Sequence, residues 1–177
     1  YSRQSRSPCV AKSGTIYYSY YLSYAGAAVE QQGHKLKHID AIAQDLSESD
    51  VLKIIESYNP DLIIFDTSTP SIINDIKFAA QISSKIPSAL LFAVGTFPSK
   101  NTIEFNRLNN LYKAKIYGCL VGEYDETAKE LANAVDKKQD LKDISGVILL
   151  SKSDKLIENK VELRKTSAEF LDTLPFV

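Results

Sequence analysis

Residues 62–75, LIIFDTSTPSIIND, set an apolar run against four polar side chains, Asp66, Thr67, Ser68 and Thr69, with Pro70 behind them. A carboxylate and three hydroxyls can donate and accept hydrogen bonds, so at the mouth of a core strand they could hold a ligand. Two later segments have the same form: VGTFPS over 94–99 and VGEYDET over 121–127. In open α/β sheets ligands bind beyond the carboxyl ends of the strands, where the following helices also present unpaired N–H groups. Gly95 and Gly122 would let a ligand approach the backbone there. Caps and turns demand the same residue types, so one such segment alone reads as a strand-to-helix turn; three in series point to a site.

Other chemistry finds little support. There is no glycine-rich dinucleotide fingerprint, no phosphate-cradling Gly-Lys-Ser loop and no Gly-x-Ser-x-Gly elbow. Dehydrogenase, kinase and hydrolase functions therefore lack their core residues. His34 and His38 are the only histidines, one after a helix-ending glycine and one inside a short apolar segment, and both read as structural. Cys9 and Cys119 form neither a disulfide framework nor metal-ligand spacing. No catalytic residue and no metal ligand is assigned. The tyrosine-rich stretch TIYYSYYLSYAGAA over 15–28 reads first as core and helix start, although such tyrosines also suit a flat ligand.

Holding three loops at one edge takes alternating strands and helices, and the chain supplies them. Leu22, Ala25, Gly26 and Val29 predict a helix over 19–32 that Gly33 ends, and KLKHID predicts a short strand over 35–40. Ser47 and Asp50 resemble a capping box ahead of a helix over 47–58, whose stripe is Val51, Ile54, Ile55 and Tyr58. DLIIFD over 61–66 has the continuous apolar character of a strand covered on both faces. Thr69-Pro70 then reads as the cap and first turn of a helix over 70–84. Strands over 89–94 and 116–121 follow, separated by a weaker helix over 98–113, and a helix over 124–137 carries Glu and Asp in its first turn. The expected fold class is α/β, a doubly wound parallel sheet with helices on both faces. GVILLSKSDKLIENK over 146–160 reads as a hairpin attached to that sheet, and 164–177 as an extended linker leaving a single domain of 1–163.

The 177 residues, 44% hydrophobic and 24% charged, suffice for one core, and a net charge of −1 offers no field for nucleic acid or anionic membrane. No apolar segment approaches the roughly 20 residues needed to span a bilayer, so the chain reads as cytoplasmic. A doubly wound sheet normally opens on a strand, yet residues 1–18 read as loop and the sequence contains no methionine. The first strand is expected upstream of Tyr1, in a longer polypeptide.

The order of motifs resembles a known family. YYLSYAGAAVEQQGHKLKHIDAIAQDLSESDVLKIIESYNPDLIIFDTSTPSIINDIKFAAQI, then VGTFPS, GEYDETAKELANAV, LKDISGVILL and FLDTLPF, together resemble the N-terminal cobalamin-binding domain of radical S-adenosylmethionine enzymes, in particular the anaerobic magnesium-protoporphyrin cyclase and hopanoid-associated types. The resemblance implies a flavodoxin-like Rossmann-type fold with the corrin over the strand ends, cobalamin as cofactor, and a parent methyltransferase or cyclase. In that parent a downstream barrel of the same polypeptide would bind a 4Fe-4S cluster and S-adenosylmethionine, and this chain alone would not catalyse. The cofactor-binding positions it implies are Asp66, Ser68, Thr69 and Pro70, then Gly95, Thr96 and Phe97, then Gly122, Glu123 and Tyr124. The family's Asp-x-His-x-x-Gly loop is absent, so the cobalamin is expected base-off without a protein histidine ligand. The alternative is a degenerate or receiver-like module of the same shape that binds a protein partner and no cobalamin.

Overall fold

The structure, a computed structural model, describes residues 19–153 together with 169, 172 and 173. Within them the chain runs α1 (Tyr20–Glu30), α2 (Glu48–Tyr58), β1 (Leu62–Asp66), α3 (Ile72–Lys85) and β2 (Leu90–Val94). It continues through a short α4 (Thr96–Lys100), α5 (Thr102–Tyr112), β3 (Gly118–Leu120), α6 (Asp125–Asp136) and β4 (Val147–Leu149). The four strands form one sheet in the order β1-β2-β3-β4, with β1, β2 and β3 parallel and β4 antiparallel to β3. The fold is α/β with a mainly parallel sheet between helices, consistent with the flavodoxin-like class.

Alternation along the strands builds two cores. Leu91, Ala93 and Cys119 point to one face, where they meet Val51 and Ile55 of α2, Ile72, Ile76, Ala79 and Ile82 of α3, and Phe105 and Leu108 of α5. Phe92, Val94 and Leu120 point to the other, against Ala25 of α1 and Ala128, Leu131 and Ala134 of α6. Helices thus cover both faces, and the central strand β2 is buried over Leu91–Val94, as its unbroken apolar run requires. Each such large side chain contributes roughly 1.5–3 kcal/mol relative to exposure. The edge strand β1 is only half-buried throughout.

Local signals explain where the elements begin and end. The expected capping box is present: Ser47 accepts from the Asp50 amide at 3.2 Å and its own amide donates to Asp50 Oδ2 at 3.2 Å. Asn59 closes α2 in the left-handed region at φ 49°, ahead of Pro60.

Three expectations change. Residues 35–40 form no strand; partly exposed Leu36 lies against Gly26 of α1, where an added Cβ would stand 3.0 Å from Leu36 Cδ2, and His38 reaches Ser19 before that helix. Helix α3 starts at Ile72 with Ser71 before it, so Thr69-Pro70 forms a turn closed by the Ser71 amide on Ser68 O at 3.0 Å. The helix expected over 98–113 divides at Asn101 into α4 and α5. The first arm of the expected hairpin, β4, is attached to the sheet through β3; its second arm lies outside the described residues, as does the linker apart from 169, 172 and 173.

Candidate functional site

The parallel register Asp66↔Val94 and Ala93↔Cys119 brings the carboxyl ends of β1, β2 and β3 to one edge of the sheet. All ten implied positions leave that edge, Asp66 to Pro70 after β1, Gly95 to Phe97 after β2, and Gly122 to Tyr124 after β3. Their side chains divide sharply. Thr69, Pro70, Thr96 and Glu123 are exposed, as is the Gly122 backbone, which has φ +76°. Phe97 and Tyr124 are half-buried on the two opposite cores and anchor their loops from either face.

Thr67 and Ser68 turn inward. They are 0% and 2% exposed, and neither hydroxyl faces the edge. Thr67 Oγ1 donates to Asp75 Oδ2 at 2.7 Å, Ser71 Oγ donates to the same oxygen at 2.6 Å, and Ser68 Oγ lies 3.0 Å from Ser71 Oγ. The Thr67 amide donates to Val94 O at 2.9 Å, which ties the loop to β2. Gly95 makes room for this contact. At its φ of +113° an added Cβ would run into the Thr67 carbonyl and stand 2.7 Å from Asp66 Oδ1.

Antiparallel β4 returns the chain to the same edge at its start. The Val121 amide donates to Gly146 O at 2.9 Å and Thr127 Oγ1 donates to Ser145 O at 3.1 Å, so Ser145 and Gly146 join the loop after β3. Ser145 and Gly146 are not among the positions that the sequence implied. The network on Asp75 was also missed, although Ser71 and Asp75 at helical i,i+4 spacing gave a signal for it.

Charge at the edge is mostly acidic. Among the described residues, Asp66, Glu123, Asp125, Glu126 and Asp143 stand in or beside these loops, against Lys100 and Lys142 and no arginine. Asp125 is held above the usual carboxylate range, by burial first and by the Glu123 charge, against a lowering backbone hydrogen bond. Cys119 is a packed core thiol whose pKa burial pushes up to about 12. No group of three or more His, Cys, Asp or Glu that could hold a metal ion occurs among the described residues. His34 Nε2 lies 2.9 Å from Asn133 Oδ1, and His38 Nε2 lies 3.2 Å from Ser19 Oγ. Two surface depressions, of about 400 Å³ along α2 and α3 and about 310 Å³ between Tyr117 and Leu141, both lie away from this edge. No helix among the described residues is long and apolar enough to cross a membrane.

No family model matches the sequence. A Pyrococcus horikoshii protein described as the uncharacterized methyltransferase PH0819 is 31% identical over 131 residues, which are 71% of this chain and 26% of that protein. Two solved structures of TsrM, a radical S-adenosylmethionine methyltransferase from Kitasatospora setae, share the fold. One, with tryptophan substrate and the analogue aza-SAM bound, has a TM-score of 0.60 at 19% identity over 76% of this chain and 26% of its own. The other, with cobalamin and a [4Fe-4S] cluster bound, has a TM-score of 0.56 at 20% identity over 76% and 24%. The chain spans about a quarter of each protein it matches.

Proposed function

We propose that the three strand-end loops hold cobalamin and that the chain is the cobalamin-binding unit of a longer radical S-adenosylmethionine methyltransferase. The observation that carries this is their convergence on one edge of a fold shared with TsrM, a protein solved with cobalamin bound. Methyl transfer is preferred to ring formation because TsrM and the Pyrococcus protein are both described as methyltransferases.

The residues present fit such a ligand. Among the described residues the edge carries hydroxyls and more carboxylates than lysines, which disfavours a polyphosphate, yet it can hydrogen-bond the amide side chains of a corrin. Thr69, Thr96 and Glu123 would make those contacts, Gly122 would admit the ring to the backbone, and Phe97 and Tyr124 would hold the loops apart. Asp66, Ser68, Pro70 and Gly95 shape the loops from behind. Cobalamin, when bound, supplies a cobalt centre able to take up and pass on a methyl group. A flat ligand on this edge would be covered by a second body. In this proposal that body is the radical barrel of the same polypeptide, carrying the 4Fe-4S cluster and S-adenosylmethionine.

The test is reconstitution. The purified chain, incubated with hydroxocobalamin and passed through gel filtration, is expected to carry visible absorbance for about one corrin per chain, as a single strand-end site requires. Absorbance that elutes wholly with free ligand would leave the degenerate, partner-binding alternative.

A further inference from the structure

We infer that Asp75, which lies outside the three loops, is the positioning residue that sets the shape of the ligand-facing loop after β1. The inference deepens the cobalamin proposal and rests on it for the ligand's identity. One oxygen, Asp75 Oδ2, accepts from both Thr67 Oγ1 at 2.7 Å and Ser71 Oγ at 2.6 Å. A carboxylate accepts, so Thr67 Oγ1 and Ser71 Oγ both donate to Asp75, while Ser71 Oγ also lies 3.3 Å from Ser68 O and 3.0 Å from Ser68 Oγ, which holds Ser68 in the same cluster. The Ser68 amide also points at Ser71 Oγ, at 3.3 Å.

Two hydroxyls, those of Thr67 and Ser71, thus share a single acceptor in the first turn of α3, and Ser68 is held against Ser71. Thr69 is left as the loop's outward hydroxyl, beside exposed Pro70. Since Thr67 is also tied by its amide to β2 and its carbonyl abuts Gly95, Asp75 couples the loops after β1 and β2. Both bonds end on one oxygen, so an amide oxygen in the same place could accept them too. Geometry, not charge, is what Asp75 supplies.

Asp75→Asn, Asp75→Ala and Thr67→Val are compared with the wild-type chain by backbone amide exchange and by hydroxocobalamin retention after gel filtration. Asp75→Ala is expected to speed exchange across 67–71 roughly tenfold or more, with β2 and α6 unchanged, and to weaken retention by a similar factor. Asp75→Asn should stay within about threefold of wild type on both readouts, and Thr67→Val, which removes one donor at nearly constant volume, should fall between them. Wild-type exchange in Asp75→Ala would overturn the inference, as would Asp75→Asn behaving like Asp75→Ala. Should Asp75→Ala not fold, Thr67→Val decides, since unchanged exchange there removes the network's role. A wild-type chain that retains no corrin sinks the cobalamin proposal, while the exchange series still decides Asp75.

Discussion

Asp125 stands at the start of α6, where the macrodipole favours a negative charge, yet burial and the neighbouring Glu123 together raise its pKa above the ordinary 3.8. A raised carboxyl binds its proton more tightly in the folded chain than in the unfolded one. Folding therefore takes up protons between that ordinary value and the higher folded one, and stability falls as pH rises through this interval. The ionised form is the costly one. Asp125→Asn is expected to be more stable than wild type at about pH 7 in urea unfolding, with the gain shrinking once the solution is well below the ordinary carboxylate range. An equal gain at both pH values would show that the carboxyl's ionisation is not the cause. Side-chain direction of this kind was not legible in sequence. Thr67, Ser68 and Thr69 are chemically alike, and only contacts made once α3 packs against the sheet, Thr67 with Asp75 and Ser68 with Ser71, hold two of them inward.

At the scale of elements, the apolar runs and caps were largely sufficient. Ser47 with Asp50, Asn59-Pro60 and the run at 90–94 each specify their structure locally, so α2, the turn after it and β2 lie where their residues direct. KLKHID forms no strand, and Leu36 lies instead against Gly26, a contact between segments that no local pattern announces. Gly95 shows the same limit in the other direction. Its position at a strand end was legible, whereas its reason, the Thr67 carbonyl where a side chain would go, depends on the β1–β2 register. Gly95→Val is consequently expected to lose about 2–4 kcal/mol, from the positive φ and from displacing the loop after β1. Denaturant midpoints measure this without any ligand. A variant as stable as wild type that merely binds less would return Gly95 to the role of a bare ligand platform.

Over the whole molecule, the order of parallel strands is what collects three loops at one edge, and that much followed from the alternation of elements. The histidines did not follow. His38 was expected within a sheet strand, yet the segment lies along α1 and His38 meets Ser19, just before that helix. Helices α1 and α6 pack together with His34 bonded to Asn133, so their carboxyl-terminal ends coincide and they run the same way. Because α6 starts beyond the carboxyl end of β3, the Ser19–His38 contact lies toward the ligand-facing side and His34 toward the opposite one. His34 thus has no route to a corrin at the strand ends. The base-off proposal without a histidine ligand now depends on His38 remaining with Ser19 on the flank of α1. Reduced chain loaded with cobinamide, which has no base of its own, separates the cases by electron paramagnetic resonance. A Co(II) signal without superhyperfine splitting from axial nitrogen, identical in His38→Ala, is expected. Splitting that is present in wild type and absent in His38→Ala would mean that His38 leaves Ser19 to ligate the metal, and its axial donation would then tune the cobalt.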